Sequence, residues 1–121
     1  MARKKILVVD DEPDFIDMVK MRLEACGYDI FAALDGHQAV EMAKRERPHL
    51  ILLDLVMPRS NGFEALSRLK MDSFTENIPV IMITAKCESE YVLDAGKLGA
   101  CEYLSKPVSM QTLEEMVRKY V

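Results

Sequence analysis

Short apolar runs recur along the chain and alternate with longer stretches whose apolar positions fall three and four residues apart. Residues 6–9, 28–33, 50–53, 80–83 and 102–104 have the length and composition of strands, and the run at 50–53 reads as one buried on both faces. Between them, Phe15, Ile16, Val19 and Leu23 share one helical face, as do Phe63, Leu66 and Leu69, and later Met110, Leu113, Val117 and Tyr120. Gly27, Gly36, Pro48, Pro79 and Gly99 fall at the proposed boundaries, where a positive φ or a missing N–H does least harm. Five strands alternating with five helices predict βαβ units around a parallel sheet. Right-handed crossovers then place helices on both faces and bring the carboxyl ends of all strands to one edge.

The residues just past those strand ends are Asp10 and Asp11 after the first, Asp54 after the third, Thr84 after the fourth and Lys106 shortly after the fifth. Each has an ordinary structural explanation: the first aspartates or Thr84 could cap a helix, and Lys106 could be solvated. Together they define a need. Carboxylates converging to about 4 Å repel by about 4 kcal/mol per pair at an effective dielectric of 20, so a cation is required. Oxygen-only donors without His or thiolate favour a hard ion, and a small carboxylate set with open positions favours Mg²⁺. A carboxylate can also attack phosphorus, giving an aspartyl phosphate by a transfer that depends on positioning and charge neutralisation. In that arrangement Asp54 attacks, Asp10 and Asp11 hold the metal, and Lys106 and Thr84 receive the remaining phosphoryl oxygens.

Composition narrows the alternatives. The 121 residues are long enough for one domain spanning 1–121, and a net charge of −4 without a Lys/Arg-rich block argues against direct nucleic-acid binding. Cys26, Cys87 and Cys101 are odd in number and lack C-x-x-C spacing, so they read as reduced, buried thiols. The nine methionines read as core filler, and His37 and His49 as surface or structural residues. Behind Arg3, Lys4 and Lys5 the apolar stretch ends at Asp10, too short for a signal or membrane span, which implies a cytoplasmic protein without a membrane partner.

VVDDE at 8–12, LLDLVMP at 52–58 with NG at 61–62, ITA at 83–85 and EYLSKP at 102–107 are jointly specific, and the chain resembles the receiver domain of two-component response regulators over essentially its whole length. The resemblance implies a flavodoxin-like, chemotaxis-regulator-like doubly wound sheet, strand order 2-1-3-4-5, with five helices. It also implies Asp54 as phosphoacceptor, Asp11 as a direct Mg²⁺ ligand, Asp10 as a ligand through water and the Val56 carbonyl as a further ligand. Thr84 and Lys106 match the switch hydroxyl and the phosphate-binding amine, the Lys106–Pro107 bond is expected cis, and Tyr103 matches the aromatic switch position. Such a domain catalyses its own modification yet is a signalling switch rather than an enzyme.

Its partners would be a sensor histidine kinase or histidine phosphotransfer protein and a downstream effector domain or protein, with small acyl phosphates as further donors. The fourth helix, fifth strand and fifth helix would form the output surface, with room for a phosphorylation-dependent dimer. Two departures stand out. Arg59, Ser60 and Asn61 replace a commoner x-M-D run, and the residues two past Asp54 and Thr84 are Val56 and Lys86. Val56 cannot orient an attacking water, which predicts slow loss of the phosphoryl group.

Rival readings fit less well. A haloacid-dehalogenase-like phosphatase needs a second acid where Val56 stands, and a dinucleotide site wants glycines where DDEPDF supplies acids. Flavodoxin itself would need a Ser/Thr-rich loop after the first strand. The remaining alternative is a phosphorylation-independent binding module that retains the fold.

Overall fold

The computed structural model describes residues 2–57 and 60–121, Ser60 by its backbone alone; Pro58 and Arg59, within or beside the LLDLVMP stretch, lie outside the described residues. In chain order the elements are β1 (Lys5–Val9), α1 (Pro13–Ala25), β2 (Asp29–Ala33), α2 (Gly36–Glu46), β3 (Leu50–Leu53), β4 (Val56–Met57), β5 (Ser60–Asn61), α3 (Gly62–Met71), β6 (Val80–Thr84), α4 (Ser89–Lys97), β7 (Glu102–Ser105) and α5 (Met110–Tyr120). Five parallel strands form the main sheet in the order β2-β1-β3-β6-β7. β4 and β5 form a separate two-stranded antiparallel hairpin. With that hairpin set aside the order reads 2-1-3-4-5, the doubly wound arrangement expected from the sequence. Strands of two residues are too short to leave a periodic signal, which is why the hairpin was not anticipated.

Strand parity divides the core into two layers, because successive side chains point to opposite faces. Leu7, Val9, Ile51, Leu53, Val80 and Met82 face the side covered by α2, α3 and α4, where Ala39, Val40, Ala43, Leu66, Leu69 and Ala95 pack. Ile6, Val8, Leu50, Leu52, Ile81 and Ile83 face α1 and α5, meeting Ile16, Val19, Leu23, Leu113 and Val117. The predicted helical stripes are therefore the buried ones. Gly27 and Gly99 adopt φ of 96° and 107° just past α1 and α4, a left-handed conformation that costs glycine least.

Two expectations need correction. The cysteines are free, but Cys26 and Cys87 are exposed and Cys101 is half-buried. Of the methionines, Met57 and Met82 fill the core, whereas Met18, Met21 and Met71 are exposed, Met71 by 82%. Each of the exposed ones lies on a helix, on a face turned from the sheet, so composition alone could not sort them. His49 is structural as anticipated, since its Nδ1 accepts the backbone N–H of Lys5 at 3.0 Å and secures the start of β1.

The buried Thr75 was not singled out in the sequence. Its hydroxyl donates to the Leu69 carbonyl at 2.6 Å, satisfying one of the last carbonyls of α3. Thr75→Val keeps the shape and removes the donor, so it is expected to lower unfolding free energy by about 1–2 kcal/mol, read from the shift of the urea midpoint.

Candidate functional site

The carboxyl ends of β1, β3, β6 and β7 meet above the centre of the sheet. Asp10 follows β1 and is 1% exposed; Asp54 follows β3 and is 5% exposed. Both are carried by strands hydrogen-bonded on two sides. The Asp54 amide donates to the Val9 carbonyl at 3.0 Å, and Asp10's amide to that of Ala33 at 3.1 Å, so the backbone of each acid is fixed by a neighbouring strand. A buried carboxylate is costly unless compensated. The compensation is Lys106, whose side chain is 13% exposed and whose Nζ lies 2.7 Å from Asp10 Oδ2, 2.8 Å from Glu12 Oε1 and 3.4 Å from Asp54 Oδ2.

Backbone groups complete the acids' bonding. Asp10 Oδ1 accepts the Glu12 N–H at 2.9 Å, and Asp54 Oδ1 accepts the Val56 N–H at 3.2 Å. Burial raises the Asp10 carboxyl above its ordinary value, against the opposing pull of Lys106 and the Glu12 amide. For Lys106 burial acts downward, but the bonds to Asp10 and Glu12 and the charge of Asp54 outweigh it, so its ammonium is held more firmly than usual. The ring of Phe15 lies beneath that ammonium, 4.4 Å from its centroid.

A cleft of about 330 Å³ opens here, with Asp11, Glu12, Asp54, Val56, Lys86 and Lys106 in its lining. Thr84 borders it as well; it is fully buried, and its Oγ1 accepts the Lys86 N–H at 3.3 Å. Lys106–Pro107 is cis. Tyr103 stands away from the acids: its hydroxyl donates to the Lys86 carbonyl, tying β7 to the loop that follows Thr84.

The structure thus brings together Asp10, Asp54 and Lys106 directly and sets Thr84 and Val56 along the same cleft. Asp11 is exposed on the rim of this cleft, while the carboxylates whose oxygens converge within 4.8 Å of one another are Asp10, Glu12 and Asp54. Sequence reasoning passed over Glu12 and Phe15. The third acid of VVDDE was the available signal for Glu12; Phe15 looked like one more member of an apolar stripe.

The donors around the cleft are carboxylate oxygens, Asp10 and Asp54 buried and Asp11 on the rim, and one ammonium balances the buried pair, which fits a hard divalent ion such as Mg²⁺. A doubly wound sheet with an acidic strand-end cleft and an ammonium reaching into it defines the class of phosphoacceptor switch modules. The family model of the response regulator receiver domain matches residues 6–118, and the chain belongs to that family, the phosphoacceptor modules of two-component signal transduction.

Relatives agree. Sporulation initiation phosphotransferase F of Bacillus subtilis is 36% identical over 121 residues, covering 100% of this chain and 96% of that protein. Chemotaxis protein CheY4 of Vibrio cholerae superposes with a TM-score of 0.93 at 31% identity, over 99% of this chain and 100% of that one. The receiver domain of sensor histidine kinase PA1611 from Pseudomonas aeruginosa, solved with a magnesium ion coordinated in its active site cleft, gives 0.89 at 28% identity, covering 98% of each. The chain spans about half the length of several transcriptional regulators that it also matches. Among the described residues no helix is long and apolar enough to cross a membrane.

Proposed function

We propose that Asp54 accepts a phosphoryl group from a phosphohistidine on a sensor kinase or phosphotransfer protein, and from small acyl phosphates, in a Mg²⁺-dependent reaction that the domain itself promotes. The observation that carries this reading is the pairing of a nearly buried Asp54 with Asp10 and Lys106 at the floor of an open cleft. An Asp54 carboxylate oxygen attacks phosphorus; the P–N or P–O bond to the donor breaks, and the imidazole or carboxylate leaves with the electron pair. Lys106, already within 3.4 Å of Asp54, donates to the oxygens that gain charge, and the Thr84 hydroxyl turns from the Lys86 amide to do the same. Asp10, Asp11, Asp54 and the Val56 carbonyl would hold Mg²⁺, which when bound neutralises the acids and the transferred group.

Phosphorylation adds about −1.5 to −2 charges at this one point. Drawing Thr84 inward changes the loop carrying Lys86, and with it the carbonyl that anchors the Tyr103 hydroxyl. Beyond Tyr103 lies a groove between α4 and β7 that includes Val92, Ala95, Ala100 and Cys101, with Leu93 exposed beside it. This is the surface we assign to the downstream effector domain or protein or to a second phosphorylated copy; nucleic acid is not its target.

The decisive experiment is incubation with Mg²⁺ and acetyl phosphate followed by intact-mass measurement. Wild type is expected to gain one phosphoryl group and Asp54→Asn none; equal masses before and after for wild type would favour the phosphorylation-independent module. Val56, half-exposed at the cleft mouth, presents only methyls to solvent. Val56→Asn, able to orient a water, is expected to speed dephosphorylation about tenfold, some 1.4 kcal/mol of barrier. The decay of phosphorylated protein after removal of donor measures it.

A further inference from the structure

Glu12 occupies the N-cap of α1, but its side chain makes no capping bond to that helix. The residues favoured at such a position use a short side-chain oxygen to satisfy the first free N–H groups. Glu12's carboxylate instead reaches the Lys106 ammonium at 2.8 Å, across 94 residues of sequence. Its backbone N–H meanwhile holds Asp10 Oδ1 at 2.9 Å, so one residue contacts both members of the buried Asp10–Lys106 pair.

An ammonium offers three donors, and Lys106 meets three acceptors, at 2.7 Å on Asp10, 2.8 Å on Glu12 and 3.4 Å on Asp54. A divalent cation entering the site competes with that ammonium for the carboxylates of Asp10 and Asp54. Losing both would leave the ammonium half-desolvated against the Phe15 ring and beside a like charge. Glu12 would then be the acceptor left to the ammonium. It is also the exposed one, its side chain 62% exposed against 1% for Asp10.

We propose that Glu12 is a positioning residue acting through Lys106: its carboxylate receives the ammonium when a divalent cation takes Asp10 and Asp54, and so sets how much cation the site requires. This rests on the phosphoacceptor reading above but adds a residue and a control point to it. In the metal-free protein Glu12 shares Lys106 with Asp10; in the loaded protein it keeps Lys106 beside the cleft, ready for the phosphoryl oxygens.

Titration with Mg²⁺ alone, followed by amide NMR shifts of the cleft residues, tests this in wild type, Glu12→Gln, Lys106→Met and the double variant. Glu12→Gln should raise the half-saturating Mg²⁺ concentration about three- to tenfold, or about 0.7–1.4 kcal/mol. With Lys106→Met in the background the same substitution should have no further effect, since the residue it acts through is gone.

An unchanged Mg²⁺ titration in Glu12→Gln overturns the proposal. So does a loss of equal size in the Lys106→Met background, which would make Glu12 a direct metal ligand. Failure of wild type to take up a phosphoryl group would sink the phosphoacceptor reading instead, and the metal titrations would still decide the role of Glu12.

Discussion

Gly62→Ala is expected to destabilise the protein by about 3 kcal/mol and to slow phosphorylation of Asp54. A methyl group at this position would lie 2.4 Å from the Asp54 carbonyl oxygen and 2.7 Å from the Leu55 Cα. Those are backbone atoms, so no rotamer change relieves the contact. The same segment is pinned from the other side, because the Gly62 N–H donates to the Leu55 carbonyl at 2.8 Å. The chain therefore has to move away at Asp54, the residue we propose as phosphoacceptor. Gly96→Ala provides the contrast: within α4, with nothing inside 4 Å of the added carbon, it should stabilise by about 0.5–1 kcal/mol. Urea denaturation separates the two, and the mass-gain rate at fixed acetyl phosphate reads the effect on Asp54.

The second large effect is expected from Lys106→Met in metal-free buffer. Removing one partner of a buried ion pair costs about 3–5 kcal/mol, because the other charge remains buried without compensation. Here Asp10 and Asp54 lose their only short-range ammonium contact among the described residues while Asp10 stays 1% exposed. Burial already raises the Asp10 carboxyl above its ordinary value, and loss of Lys106 raises it further. A carboxyl whose folded value is raised binds its proton more tightly in the native state, so its stabilisation is present below about pH 4 and is lost as pH rises through the folded value. The variant should thus lose stability, relative to wild type, between mildly acidic and neutral pH. Mg²⁺ should restore more stability to it than to wild type, since no ammonium competes for Asp10. Denaturant midpoints across pH, with and without Mg²⁺, give both comparisons.

Much of this was legible in the sequence because parallel sheets write themselves plainly. Unbroken runs such as LILL at 50–53 occur where both faces of a strand are covered, and in the structure every residue of β3 is buried. The strand-end rule then drew Asp10, Asp54, Thr84 and Lys106 to one edge before any coordinates. What stayed hidden was of two kinds. The β4/β5 hairpin is too short to carry periodicity, and it is held by two residue pairs rather than by a pattern. The division of labour among Asp10, Asp11 and Glu12 depends on which way adjacent acids point as β1 gives way to α1, and three neighbouring carboxylates look alike in a string. Both Asp11 and Glu12 are exposed, but Glu12 reaches Lys106. The exposed cysteines and methionines were misread for a related reason, since residue type constrains burial less than helical phase does.

The order of the strands has a mechanical consequence. Asp10 and Asp54 rise from β1 and β3, each laced to neighbours along both flanks, whereas Tyr103 and Lys106 belong to or follow β7, which has a sheet partner on one flank only. The two buried acids are thereby held by backbone bonds on both sides of their strands. Tyr103 and Lys106 ride on the sheet's margin, where fewer backbone bonds resist a shift.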